Sequence, residues 1–185
     1  RGEALVIPRG LTMAGYEAVF DSSDIWVGYR NSIIYTVVGT SINLFVTLSC
    51  GYALATRRLP FGKAITLFIV FTMLFDGGIV PRYLIVKQLG MLNTIWALTL
   101  PKAAWVFAIM ITRTFIRETI PHELYEAAQV EGVSFARYFF SVVLPLSPAL
   151  ISILVLLYGV GHWNSFFDAL IYLDRAELFP LQLVQ

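Results

Sequence analysis

The densest set of side chains able to bind or react lies in GHWNSFFDAL, residues Gly161 to Leu170. Trp163 and Phe167 offer stacking faces, while Asn164 and Asp168 offer planar hydrogen-bonding groups, a combination suited to a polyhydroxyl ligand. The same composition also ends a membrane span at the interface, so the cluster has two readings. Ser165 beside His162 is the pairing an integral-membrane enzyme could use, but no further catalytic motif accompanies it. The second histidine, His122, is forty positions away from His162, so no metal site is expected. Cys50 stands in an apolar run and reads as a small core residue, with no partner for a disulfide. No Gly-rich loop with a phosphate-binding Lys occurs, so the chain is not expected to hydrolyse ATP.

These residues must be held by elements of an apolar chain. Of 185 residues, 58% are hydrophobic and 14% charged, with a net charge of +1; ordinary soluble domains carry roughly 25% charged residues. The composition predicts an all-α, polytopic membrane bundle, and the near-zero net charge argues against a nucleic-acid partner. From Asn31 to Thr56 there is no Asp, Glu, Lys or Arg, enough for one span of about 20 residues. Further spans are expected near 64–86, 96–117 and 146–168, giving four in all. The Asp76–Pro81 stretch should loosen the second, and Pro101 should delay the third. On the first span Asn43, Thr47 and Tyr52 could line a cavity or bond other helices. Asp76 with Arg82 is a candidate outer-gate or receptor contact. Residues 1–30 read as an extracytoplasmic segment. The start at Arg1 and the PLQLVQ ending read as those of a portion of a longer protein.

Between the third and fourth spans lies a polar loop, 118–145. Ile120-Pro121 predicts a helix start, with Pro121 at its first position. ELYEAAQVE supplies helix formers, and Gly132 supplies the left-handed stop. Ser134 can cap a second helix, FARYFFSVV, lying along the surface before Pro145 and Pro148 turn the chain into the bilayer. The RRLPFGK loop and Arg113, Arg117 and Arg137 share one side, which the positive-inside rule makes cytoplasmic.

Glu126-Ala127-Ala128, then Gly132, then Val142-x-Leu144-Pro145 resembles the EAA signature of ABC-importer permease subunits, with Val142 in place of the usual isoleucine. NSIIYTVVGTSINL, FTMLFDGGIVPRYLIVKQLG, IPHELYEAAQVEG and GHWNSFFDALIYL are similar to the carbohydrate permeases of the maltose-permease class, and within it to LplC/YtcP-like members. The resemblance implies the permease core of a type I ABC importer in a bacterial cell membrane, with six spans of which four are represented. It implies a second homologous permease subunit, two cytoplasmic ATPase subunits, an extracytoplasmic solute-binding protein and a sugar substrate. ATP and Mg would be held by the ATPase, and this chain would bind no cofactor of its own. Glu126, Ala127, Ala128 and Gly132, with Leu144 and Pro145, would form the ATPase-coupling element. Trp163, Asn164, Phe167, Asp168 and Asn43 would line the solute path. The alternatives are a permease of the same superfamily for a peptide or amino acid and, from another class, an integral membrane enzyme.

The loop charges and the EAA stretch fix an expected orientation. Cysteines at Lys63 and Gln129 should be shielded from an impermeant thiol reagent added outside intact cells, whereas one at Gln88 should react. External labelling at position 129 would reverse the orientation.

Overall fold

The computed structural model describes residues 23–56, 59–75 and 77–184, and every element among them is helical. The chain is organised around α1 (Ser23–Ala55), a helix of 33 residues. At 1.5 Å per residue it is about 50 Å long, longer than a hydrocarbon core of about 30 Å. Its buried positions include Asn31, Tyr35, Gly39, Asn43, Thr47 and Gly51, a stripe at four-residue spacing. Ile33, Ile34, Val37 and Phe45 face outward. The polar-and-small face is therefore turned inward and the apolar face outward, the arrangement a lipid environment favours.

After α1 come α2 (Gly62–Thr72) and α3 (Ile79–Gln88), separated by a non-helical break. α4 (Ile95–Thr99) runs into a 3-10 turn (Leu100–Lys102), and α5 (Val106–Thr119) follows at an angle of 53°. The loop contains α6 (His122–Val130) and α7 (Phe135–Tyr138), which continues as a π turn (Phe139–Val143). α8 (Pro148–Trp163) leaves this segment at 89°. α9 (Phe166–Tyr172), a 3-10 turn (Ala176–Leu178) and α10 (Leu181–Val184) complete the chain.

α1 packs against α5 and α8, and against α10 near its start. Two close approaches make this possible. A Cβ built on Gly51 would lie 2.4 Å from Thr112 Cγ2, and one on Gly39 would lie 2.5 Å from the His162 ring. Two apolar cores result. Leu48, Tyr52, Ile116, Tyr138, Val143 and Leu154 belong to the core at the α6–α7 end. Tyr35, Val86, Leu98, Ala169 and Tyr172 belong to the other.

Several expectations are revised here. Residues 1–22, Arg57, Arg58 and Asp76 lie outside the described residues, so the expected extracytoplasmic segment, the basic loop and the Asp76–Arg82 contact are only partly seen. Helix α1 already includes Ser23, upstream of the span expected from residue 31, because nothing from there to Ala55 interrupts the helix. The 64–86 span is not one helix: Gly77 and Gly78, with Gly78 at φ +80°, stop it between Thr72 and Ile79. The 96–117 span divides around Pro101 as its sequence suggested, and the 146–168 span ends at Trp163 before restarting at Phe166. Among the described residues one helix, α1, is long and apolar enough to cross a membrane, and the two bent pairs 95–119 and 135–163 qualify if each is taken as one span. Pro121 precedes the first turn of α6 instead of occupying it.

The Gly51 contact yields a direct test. Gly51→Ala should destabilise the α1–α5 pair by about 1–3 kcal/mol, the usual cost of overpacking. This would appear as lower yield and a lower midpoint of thermal unfolding in detergent. Gly161→Ala, where a Cβ meets nothing within 4 Å, should leave both unchanged.

Candidate functional site

The loop that carries the EAA stretch is built from three local signals. Gly132 has φ +73° and terminates the reversal after α6, with its N–H donating to the Gln129 carbonyl at 3.0 Å. The Val133 N–H donates to the Ala128 carbonyl at 2.9 Å, so two of the last carbonyls of α6 are satisfied by the turn itself. The Ser134 hydroxyl accepts from the Arg137 N–H at 3.3 Å and caps α7. The expected longer surface helix is instead one α turn plus the π turn. Leu144 is half-buried and Pro145 exposed at its end.

On α6, Glu126 and Ala127 are exposed and Ala128 is half-buried against the core below. The Glu126 carboxylate lies 3.7 Å from His122 Nε2, one turn earlier on the same helix. The element is tied down from beneath by aromatic rings. Tyr125 meets Tyr138 edge-on at 5.3 Å, and Tyr52 of α1 stacks on Phe135 at 4.3 Å and on Phe139 at 5.0 Å. The Tyr52 hydroxyl donates to the Phe135 carbonyl at 3.1 Å. The loop thus presents small and acidic groups outward on a base locked to α1.

Further along α1 a cleft of about 420 Å³ opens between the two cores. Asn43, Arg82, Lys102, Trp105, Tyr158, His162 and Asp168 are among its lining residues. The Lys102 ammonium pairs with the Asp168 carboxylate across it, with the Lys102 side chain half exposed and that of Asp168 largely buried. The Asn43 amide nitrogen donates to the Lys102 carbonyl at 2.6 Å and to the Ala103 carbonyl at 3.3 Å. The Asn43 Oδ1 lies 2.8 Å from His162 Nε2. Since Oδ1 can only accept, Nε2 must carry the proton. Thr47 and Tyr158 share a hydroxyl–hydroxyl bond of 2.6 Å just below.

Of the residues expected to line a path, the structure brings Asn43 and Asp168 to this cleft. Trp163, Asn164 and Phe167 are not brought there. Trp163 meets Tyr29 edge-on at 5.8 Å, Asn164 bonds back to the Val160 carbonyl at 2.9 Å, and Phe167 is exposed. The reason is helical phase: α8 stops at Trp163, and the break at 164–165 turns Asp168 inward and leaves Phe167 outside. Sequence reading missed Lys102, Trp105 and Tyr158. The signal for Lys102 was present, since a Lys after a Pro inside an apolar stretch needs either water or a counter-charge. Among the described residues there is no group of three or more His, Cys, Asp or Glu able to hold a metal ion.

No protein-family model matches the chain. It is 40% identical over 179 residues to Protein LplC of Bacillus subtilis (strain 168), covering 97% of this chain and 60% of that protein. It is 35% identical over 180 residues to the polygalacturonan/rhamnogalacturonan transport system permease protein YtcP of the same organism, covering 97% and 63%. A solved bacterial ABC transporter involved in the import of the acidic polysaccharide alginate contains a chain that superposes with a TM-score of 0.92 at 28% identity, covering 100% of this chain and 65% of that one. The chain thus spans about three-fifths of the length of the relatives it matches.

Gly132 offers a test of the loop. A side chain there would meet nothing within 4 Å, so any cost is backbone strain alone. Gly132→Val should cost roughly 1–3 kcal/mol of local stability, and Gly132→Asn much less, because Asn tolerates left-handed dihedrals. Protease protection of the loop in the intact protein should fall in the order Gly, Asn, Ala, Val. Equal protection of all four would remove Gly132 from the turn.

Proposed function

We propose that the chain, similar along nearly its whole length to transport-system permease proteins for polygalacturonan/rhamnogalacturonan and arabinooligosaccharides and to a chain of an alginate-importing ABC transporter, forms part of the membrane pathway for an oligosaccharide. Supporting this reading is one juxtaposition: the Glu126–Pro145 loop and the polar cleft are both fastened to α1, through Tyr52 and Asn43 respectively. In this proposal the exposed Glu126–Ala127 surface of α6 docks on a cytoplasmic ATPase subunit, where ATP and Mg are bound and hydrolysed. A second, homologous permease completes the pathway, and an extracytoplasmic binding protein delivers the solute. The setting is the bacterial plasma membrane.

Mechanistically, the ATPase cycle would act on α6. The ring stack around Tyr52 carries that displacement to α1, and α1 carries it to the cleft. Solute hydroxyls would meet the Lys102–Asp168 pair and the Tyr158 hydroxyl, with Trp105 as the stacking face. Lys102 and Arg82 both line the cleft, so acidic oligosaccharides belong in any substrate screen beside neutral ones.

The test is uptake by the full-length complex in proteoliposomes, driven by ATP and a binding protein, with galacturonate, alginate and neutral oligosaccharides offered in turn. At least one should accumulate. Lys102→Met and Asp168→Asn should raise its half-saturation concentration about tenfold or more, the loss of one charge-assisted contact. They should leave basal ATP hydrolysis intact. Failure of every saccharide, with a peptide accumulating instead, would replace the carbohydrate assignment.

A further inference from the structure

Asn43 is only 1% exposed, and its carboxamide is fully engaged by the protein. Both acceptors it serves, the carbonyls of Lys102 and Ala103, belong to the break between the 3-10 turn and α5. Carbonyls at the end of a helical segment lack helical partners, and in an apolar setting they must find others. The His162 ring that completes the arrangement lies against Gly39, in space a Cβ would fill. The same residue whose carbonyl Asn43 holds, Lys102, sends its ammonium to Asp168 across the cleft.

The geometry points to Asn43 and His162 as positioning residues for the proposed solute site: they fix the helix break so that Lys102 faces Asp168, and they act on the solute only through that pair. This rests on the transport reading above. It assigns Asn43 a role different from direct solute contact, because its donors and its acceptor are already used inside the chain. His162 orients Asn43 by donating from Nε2, which leaves both amide hydrogens for the break. Gly39 is the third member, since it alone gives the imidazole room to lie flat on α1.

The test uses the assembled importer, with Cys50→Ser and with Lys102 and Asp168 both replaced by cysteine. A short bis-methanethiosulfonate reagent then reports how often positions 102 and 168 meet, with the ion pair no longer holding them. Asn43→Leu and Asn43→Asp should each slow cross-linking about tenfold, as expected for losing buried hydrogen bonds. His162→Gln, which can still donate to Asn43, should retain most of the rate, and His162→Leu should not. In the native background the half-saturation concentration of the best saccharide from the screen is the second readout. Asn43→Asp should raise it with the maximal rate kept, and should add nothing to Lys102→Met. Unchanged cross-linking in Asn43→Asp overturns the proposal, as does full additivity with Lys102→Met. Should Asn43→Leu fail to assemble, Asn43→Asp and the two His162 variants decide the question. If Lys102→Met has no effect on uptake, the solute-site reading fails, while the cross-linking rates still settle whether Asn43 positions the break.

Discussion

A lipid environment offers no water to backbone groups left over where a helix stops, and this fold stops its helices often. Among the described residues, several of those leftovers are met by one element. Asn31 donates to the carbonyls of Glu177 and Phe179, Tyr35 to that of Leu178, Asn43 to those of Lys102 and Ala103, and Tyr52 to that of Phe135. Ser32 accepts from the Leu181 N–H. Every one of these is a side chain of α1 bonding the main chain of a break, a turn or a short helix. Irregular backbone at membrane depth is tolerated where protein satisfies it, and here α1 does so.

That division of labour explains where sequence reasoning worked. The uncharged run behind α1 was visible from composition, and so was the Gly132–Ser134 reversal, because its cause is local: one residue that tolerates positive φ and one hydroxyl at the right offset. The two prolines at 145 and 148 likewise announced a turn, and Pro148 occupies the first turn of α8. These are properties of a residue and its immediate neighbours. The likeness to importer permeases rested on the Glu126–Pro145 signature together with stretches spread along the chain, and the matched relatives and the superposed alginate-importer chain agree with it.

The cleft was less legible because it is assembled from residues far apart in sequence. Asn43, Lys102 and His162 meet only when α1, the break and α8 are packed together. A run such as GHWNSFFDAL shows which groups are available and not which face inward. Two residues of non-helical backbone at 164–165 rotate the helix that follows and exchange one lining set for another. Periodicity cannot see such a phase change unless a Pro or Gly marks it, and Asn164-Ser165 carries neither. The inward stripe on α1 was readable in retrospect, since its polar and small residues recur every fourth position.

The stack of Tyr52 between Phe135 and Phe139 has a mechanical consequence. With two rings at 26° and 28° to its own and a hydrogen bond to the backbone beneath, the inner end of α1 is clamped in angle as well as position. Tyr52 and Asn43 are nine residues apart, or about 13 Å along a stiff rod. Tilting the clamp by only about 10° would carry Asn43 roughly 2 Å sideways, further than a hydrogen bond can stretch before it is lost. In the proposed cycle, a small rocking of the surface loop would therefore reach the cleft as a break in the Asn43 hydrogen bonds.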